Sequence, residues 1–172
     1  MISLLPTILL LLVVIAVFVF LKRFADKSTA ENYDERQILY RQKAYTNAAM
    51  ATLIFNILVF VEGDKLEKYI SLSFVGVATI FLLTGIFAVS SIYYDAYFVP
   101  KKKKSFMILY SLAFFLQLEM TVWQLRDGDF FRQGHLYLTS QNSVPPLFVI
   151  TFALIFLTSA YKDWRDKKEI EE

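Results

Sequence analysis

The chain has 172 residues, of which 56% are hydrophobic and 20% charged, with a formal net charge of +2. So small a charge gives no reason to expect a nucleic-acid partner. The absence of cysteine excludes disulfides, thiol catalysis and thiolate metal sites. The apolar residues form long blocks, which indicates a membrane protein with a single domain. We predict an all-α polytopic transmembrane bundle of five spans, at residues 2–21, 45–61, 70–92, 105–125 and 144–161.

The first predicted span, residues 2–21, carries no charged residue and is long enough for a helix to cross a hydrocarbon core of ~30 Å. A secretory signal peptide is the alternative. No basic residue precedes the apolar run, however, and no small-x-small cleavage site ends it. Lys22, Arg23 and Lys27 follow the run. We therefore interpret it as an uncleaved anchor with its N-terminus outside.

A juxtamembrane helix is predicted at residues 32–44. It is expected to continue without a Pro or Gly to about Glu62, and so to include the second span. A capping box of Ser28 with Glu31, or of Asn32 with Glu35, would begin it.

Arg36 and Arg41 of this helix are candidates for contact with anionic lipid headgroups. The competing interpretations of the helix are a solvated helix start and a docking surface for a partner protein.

The stretch Asp34-Glu35-Arg36-Gln37, followed by the step Lys43-Ala44 into a hydrophobic span, resembles several families of small bacterial membrane proteins of unknown function. The resemblance covers this stretch and the general multi-span layout. It implies a bacterial plasma-membrane protein, and it implies no activity, cofactor or site residue.

Asn56 lies near the middle of the second span, where an amide in hydrocarbon seeks a hydrogen-bond partner on another helix. The third span is rich in small and hydroxyl residues, which let helix backbones approach closely. We therefore expect the third span to be the most buried of the five. Its Ser73 and Thr79 are candidate partners of Asn56.

Glu119 is the one carboxylate well inside a predicted span, where its charge costs ~2.5 kcal/mol or more. Such a residue normally faces the bundle interior, so we predict a polar cluster of Glu119, Asn56 and either Thr79 or Ser73. Gln117 is a further candidate for this ligand or proton site, on another face of the same helix. The alternative is a structural carboxyl that holds helices in register or reaches toward Arg126.

Basic residues are distributed unevenly about the five spans. With the N-terminus outside and the C-terminus in the cytoplasm, all but four of the eighteen Lys and Arg residues lie on the inner side, as the positive-inside rule requires. The run Lys101, Lys102, Lys103 and Lys104 fixes this orientation and is a second candidate for headgroup contact. The outer loop, residues 126–143, contains the single histidine, His135. Without a second His or any Cys we predict no metal site.

The chain contains neither a P-loop nor a G-x-S-x-G motif, so we predict a non-enzymatic protein without a cofactor. The predicted function is a subunit, regulator or immunity-type partner of another membrane protein such as a transporter. The alternative is a small transporter or channel with a polar site around Glu119 and Asn56. A membrane enzyme acting on lipid through Glu119 or His135 is a third class, which no motif supports. The predicted partners are the lipid bilayer and either a membrane protein or a second copy of the chain.

Overall fold

The computed structural model describes residue 19 and residues 34–97, 103–132 and 134–171. Apart from Val19, the first predicted span lies outside the described residues. The described chain forms five helices and one two-stranded antiparallel hairpin. In chain order these are α1 (Glu35–Val61), α2 (Gly63–Leu66), α3 (Leu72–Tyr93), α4 (Lys103–Asp127), β1 (Phe131–Arg132), β2 (His135–Leu136) and α5 (Ser140–Glu171).

Four of these helices, α1, α3, α4 and α5, are long and apolar enough to cross a membrane. The all-α fold and the presence of several helices long and apolar enough to cross a membrane are therefore confirmed for the described chain.

The four long helices pack in the order α1, α3, α5, α4, and we call this arrangement the helix row. Among the described helices, α1 and α4 each pack along one long neighbour, so they form the two edges of the row. At one end, the start of α1, the corner of residues 94–97 and the later part of α5 meet. We call this the basic end. The opposite end, which carries α2 and the hairpin, is the loop end.

A capping box at Asp34 starts α1. The Asp34 Oδ1 atom accepts from the Gln37 backbone N–H at 2.6 Å, and the Asp34 N–H donates to Gln37 Oε1 at 3.4 Å. The helix then runs unbroken to Val61, as the lack of Pro and Gly predicts. The helix begins at Glu35, three residues after the predicted start at about Asn32, because Asp34 has the extended backbone of a cap residue.

Small side chains let the long helices approach each other. The buried residues of α1 are Ala44 and Ala48. Where α3 meets α5, the buried residues Ala88, Ile92 and Ile155 form a hydrophobic cluster. Over the predicted bounds, the third span buries a larger share of its residues than any other described span, as predicted; its buried residues are Ala78, Gly85, Ala88, Ser91 and Ile92.

At the loop end, the preceding loop covers the first turns of α5. Helix α5 begins at Ser140, before the predicted span, and Asn142 and Ser143 in its first turn are buried. The Asn142 Nδ2 group donates to the carbonyl oxygens of Asp129 and Tyr137, at 2.9 and 2.8 Å. The loop that contains the hairpin is thereby fixed onto the start of α5.

Candidate functional site

The structure brings together one predicted pair. The Thr79 hydroxyl on α3 donates to the Asn56 side-chain oxygen on α1 at 3.2 Å, and it also contacts the Val75 carbonyl at 2.8 Å. The Asn56 Nδ2 group donates to the Thr52 carbonyl of its own helix at 2.9 Å. The amide is thus hydrogen-bonded on both sides and links α1 to α3. Ser73 lies elsewhere, beside the Ser71 hydroxyl at 2.8 Å.

Asn56 also lines a groove of about 560 Å³ between α1 and the start of α3, at the loop end. Its other polar lining residues are Glu67, Ser71 and Tyr137, and the remainder of the lining is mostly apolar, including Phe60 and Val75. Neither Glu119 nor Gln117 lines this groove.

Glu119 occupies a different place in the row. It lies on α4, at an edge, and its side chain is exposed. The Glu119 side chain makes no hydrogen bond or ion pair with the described residues. The predicted cluster of Glu119 with Asn56 is not formed, because α1 and α4 are opposite edges of the row and α3 and α5 separate them. Gln117, on the same helix, is partly buried, and its carbonyl accepts from Thr121 Oγ1 at 2.7 Å.

A second groove, of about 450 Å³, runs between α3 and α5 at the depth of the spans, and we call it the seam groove. Its lining is almost wholly apolar. A Cβ atom added to Gly85 would lie 3.7 Å from Thr151 Cγ2, an ordinary van der Waals distance, so α3 and α5 lie close together here and an alanine would also fit. The full lining is Phe55, Phe74, Ala78, Phe81, Leu82, Gly85, Ile86, Val89, Leu147, Ile150, Thr151 and Leu154.

Three side chains converge at the basic end on the corner after α3. Gln37 Nε2 donates to the Asp95 carbonyl at 3.0 Å, and Arg41 Nη1 donates to the Ala96 carbonyl at 3.2 Å. Lys162 of α5 places Nζ 2.7 Å from Asp95 Oδ2. Asp95 has a positive φ of 57°, and Asp tolerates this conformation better than most residues. The corner therefore joins α1, α3 and α5.

Two of the predicted headgroup-binding residues are placed differently. Arg36 is exposed, with its guanidinium 5.4 Å from the centre of the Tyr40 ring. Arg41 is partly buried against the corner and lies over the Phe87 ring at 5.4 Å, so its guanidinium has protein partners. Lys101 and Lys102 lie outside the described residues, and Lys103 and Lys104 begin α4. Headgroup contact stays a prediction for all six.

Within the described chain no group of three or more His, Asp or Glu residues is placed to hold a metal ion. His135 lies in β2 and lines a pocket of about 440 Å³ with Glu67, Lys68, Tyr69, Arg132 and Tyr137.

Comparison with protein families, curated proteins and solved structures finds no match for this chain.

Sequence reasoning missed the corner and the role of Asn142. Asp95 follows the double tyrosine at the end of the third span, and an Asp just after an apolar helix is a signal for a turn. For Asn142 the signal is Thr139, three residues earlier, at the position of a helix N-cap. The span was predicted to begin at residue 144, beside the pair Pro145-Pro146, and this predicted start lies after both Thr139 and Asn142.

Proposed function

We propose that this chain is a non-enzymatic integral membrane protein that binds another membrane protein as its subunit or regulator. The proposal includes a fifth span at residues 2–21, the N-terminus outside and the C-terminus in the cytoplasm. The D-E-R-Q-type stretch at residues 34–37 supports a bacterial plasma membrane as its location.

The distribution of charge supports this orientation. Among the described residues, nine Lys and Arg residues lie at the basic end and four at the loop end. The nine are Arg36, Arg41, Lys43, Lys103, Lys104, Lys162, Arg165, Lys167 and Lys168, and the four are Lys65, Lys68, Arg126 and Arg132. An excess of Lys and Arg marks the cytoplasmic side of a membrane protein. Trp164 lies at the same end beside Tyr161, with 6.1 Å between the ring centroids, and aromatic pairs of this kind suit the membrane–water interface.

The observation that carries the proposal is the seam groove. It lies at the depth of the spans, its lining includes the small residues Ala78 and Gly85, and α3 and α5 lie close together at Gly85. Helices in a bilayer associate by packing against such surfaces, because lipid tails are as apolar as the side chains. The groove thus fits a transmembrane helix of a partner protein.

The transporter alternative required one polar site that contains both Asn56 and Glu119. These residues lie on opposite edges of the helix row, and the apolar seam groove lies between α3 and α5. The arrangement favours binding over transport.

A blocked groove provides the test. Ile150 and Leu154 are 55% and 45% exposed and line the groove. We expect Ile150→Trp with Leu154→Trp to abolish stoichiometric co-purification of the partner from native membranes in mild detergent. Leu58→Trp is the matched control, because Leu58 is 60% exposed on α1 and does not line the groove. The proposal would be refuted if the double variant still co-purified with the partner, or if the wild-type protein purified alone and was active without a partner.

A further inference from the structure

A polar pocket of about 440 Å³ lies at the loop end, where the hairpin meets the segment between α2 and α3. Its lining contains two basic side chains, Lys68 and Arg132, together with the imidazole of His135. Arg132 and His135 are paired directly across the hairpin, so their side chains lie on the same face of it. We call this site the hairpin pocket. Its other lining residues are Glu67, Tyr69 and Tyr137.

Backbone hydrogen bonds fix the two sides of the hairpin pocket against each other. The Leu138 N–H donates to the Tyr69 carbonyl at 2.7 Å, and the Ser71 N–H donates to the Leu138 carbonyl at 2.8 Å. On the hairpin itself, the Arg132 guanidinium lies 5.4 Å from the centre of the Tyr137 ring. The fold therefore holds two cationic side chains in one pocket, although like charges repel each other.

No carboxylate of the described chain neutralises these cations. Neither Lys68 nor Arg132 forms an ion pair with a described residue, and Glu67, which lines the same pocket, forms none either. The neighbouring Lys65, by contrast, lies 2.6 Å from the Glu62 carboxylate. The charged groups of the hairpin pocket thus differ from the other charges of this loop in having no counter-ion.

The remaining carboxylates of the chain are too far away to supply one. Residues 1–21 contain no charged residue, and Glu172 follows the far end of α5. Asp26 precedes Asp34 by eight residues, so at ~3.6 Å per residue it reaches at most about 29 Å from the basic end. Helix α1 separates the two ends by about 40 Å, at 1.5 Å per residue. The counter-ion must come from a ligand.

The hairpin pocket adjoins an apolar groove. Glu67 and Tyr137 line both this pocket and the groove of about 560 Å³ between α1 and the start of α3. Two apolar residues that line the groove, Phe60 and Leu72, are 87% and 89% exposed at the ends of their helices. A charged pocket that continues into an apolar groove at the end of the spans matches a ligand with a charged head and an apolar chain.

We propose that the hairpin pocket and this groove together bind one phospholipid whose headgroup carries both a phosphate and a primary ammonium group, as phosphatidylethanolamine does. Lys68 and Arg132 bind the phosphate, because a guanidinium donates to two phosphate oxygens at once. The His135 ring N–H supplies a further donor. The Glu67 carboxylate accepts hydrogen bonds from the ammonium group, and an acyl chain lies along Phe60.

The charges of the pocket favour this occupant over others. A purely anionic ligand would pair with Lys68 and Arg132 but would place its charge beside the Glu67 carboxylate. A soluble ligand of the same charge would leave the apolar groove unused. A zwitterionic phospholipid complements the two cations, the carboxylate and the groove together. The hairpin pocket is separate from the seam groove, so this proposal stands independently of the proposed partner.

Native mass spectrometry of the full chain in mild detergent, with phosphatidylethanolamine added, provides the test. We expect one lipid to be retained per chain. Lys68→Gln with Arg132→Gln should weaken retention about 10-fold or more, because hydrogen bonds from charged groups contribute about 1.5–3 kcal/mol each. Lys65→Gln with Arg126→Gln is the matched control, because it removes the same charge from the same end and neither residue lines the hairpin pocket. The control should retain the lipid.

The role of Glu67 is tested by comparing two lipids. Phosphatidylglycerol has the phosphate but no ammonium group, so Glu67→Gln should lower the preference for phosphatidylethanolamine over phosphatidylglycerol about 5-fold or more. Asp64→Asn is the control, because Asp64 does not line the pocket. Thermal unfolding of each variant in detergent verifies that the helix row is intact.

Three results would overturn the proposal. The first is equal lipid retention by the Lys68 and Arg132 double variant and its control. The second is a lipid preference that Glu67→Gln leaves unchanged. The third is binding of soluble phosphoethanolamine as tight as that of the whole lipid, which would show that the groove takes no acyl chain. Weakening at least 10-fold on removal of the acyl chains is the expected outcome.

Discussion

The Lys162 ammonium lies 2.7 Å from the Asp95 carboxylate, joining the later part of α5 to the corner that ends α3. The Lys162 side chain is 11% exposed and the Asp95 side chain 62% exposed. Asp166 lies 3.2 Å from the same ammonium group, four residues along α5. Asp95 is the one of these two partners that lies outside α5. Its contact with the buried ammonium therefore links two elements that are far apart in sequence.

We predict that Asp95→Asn lowers the free energy of unfolding by about 1–2 kcal/mol. Loss of a hydrogen bond to a charged group costs up to about 3 kcal/mol, and the exposure of Asp95 reduces that figure. Asn is the informative replacement because it tolerates the positive φ of this position. Thermal unfolding in detergent measures the change. Lys65→Ala, which removes the exposed ion pair with Glu62, should change stability by less than about 1 kcal/mol. Equal effects of the two variants would contradict the prediction.

We predict that Thr79→Val weakens the packing of α1 on α3, since it removes the hydrogen bond to Asn56. The expected loss is about 0.6 kcal/mol, the average for hydrogen bonds between membrane helices. Thr84→Val is the control on the same helix, because the Thr84 hydroxyl bonds to carbonyls of its own helix. A double-mutant cycle of Thr79→Val with Asn56→Leu measures the coupling. A coupling of zero would show that the contact contributes no stability.

We predict that Asn142→Ala releases the loop end. The substitution removes the acceptor for the Thr139 N–H at 2.7 Å and both donor contacts to the Asp129 and Tyr137 carbonyls. The loss of the cap costs about 0.5–2 kcal/mol. Hydrogen exchange over residues 128–139 should accelerate, while exchange in the middle of α3 stays slow. Gln141→Ala, one residue away and exposed, should leave the exchange rates unchanged.

We predict that Gln124 and Pro145 are energetically coupled. Pro145 lacks the N–H that would donate to the Gln141 carbonyl inside α5, and Gln124 Nε2 of α4 donates to that carbonyl at 3.2 Å. In the wild type, Gln124→Leu should cost about 0.5–1.5 kcal/mol. In a Pro145→Ala background the restored N–H occupies the carbonyl, and the same change should cost less. If Gln124→Leu costs the same in both backgrounds, Gln124 Nε2 does not take the place of the missing N–H at position 145.

The sequence allows prediction of features that depend on local pattern. The unbroken course of α1 to Val61 follows from the lack of Pro and Gly, and the contact between Asn56 and Thr79 follows from the cost of a lone amide in hydrocarbon. Both inferences need only the residues of one or two neighbouring helices.

The position of Glu119 could not be predicted in the same way. A carboxyl group in a span indicates that it needs a partner, but helical periodicity does not tell which side of α4 meets α5. The order of helices in the row depends on contacts such as Asp95 with Lys162 and Gln124 with Gln141, which are remote in sequence. The prediction that Glu119 faces the interior assumed a closed bundle, in which every helix has an inner face. Because α4 is an edge helix, much of its surface faces no other helix of the row.

The order of packing also constrains how the protein is made. Helices α1 and α3 are neighbours in sequence and in space, as are α4 and α5, so each pair is able to associate soon after insertion. The contact between α3 and α5 joins the two pairs, and it includes Ile155 of α5, the last of the four long helices in chain order. The two helix pairs can therefore lock together only after α5 has been synthesised. A chain that stops short of α5 would leave α4 without its neighbour in the row and expose it to membrane quality control.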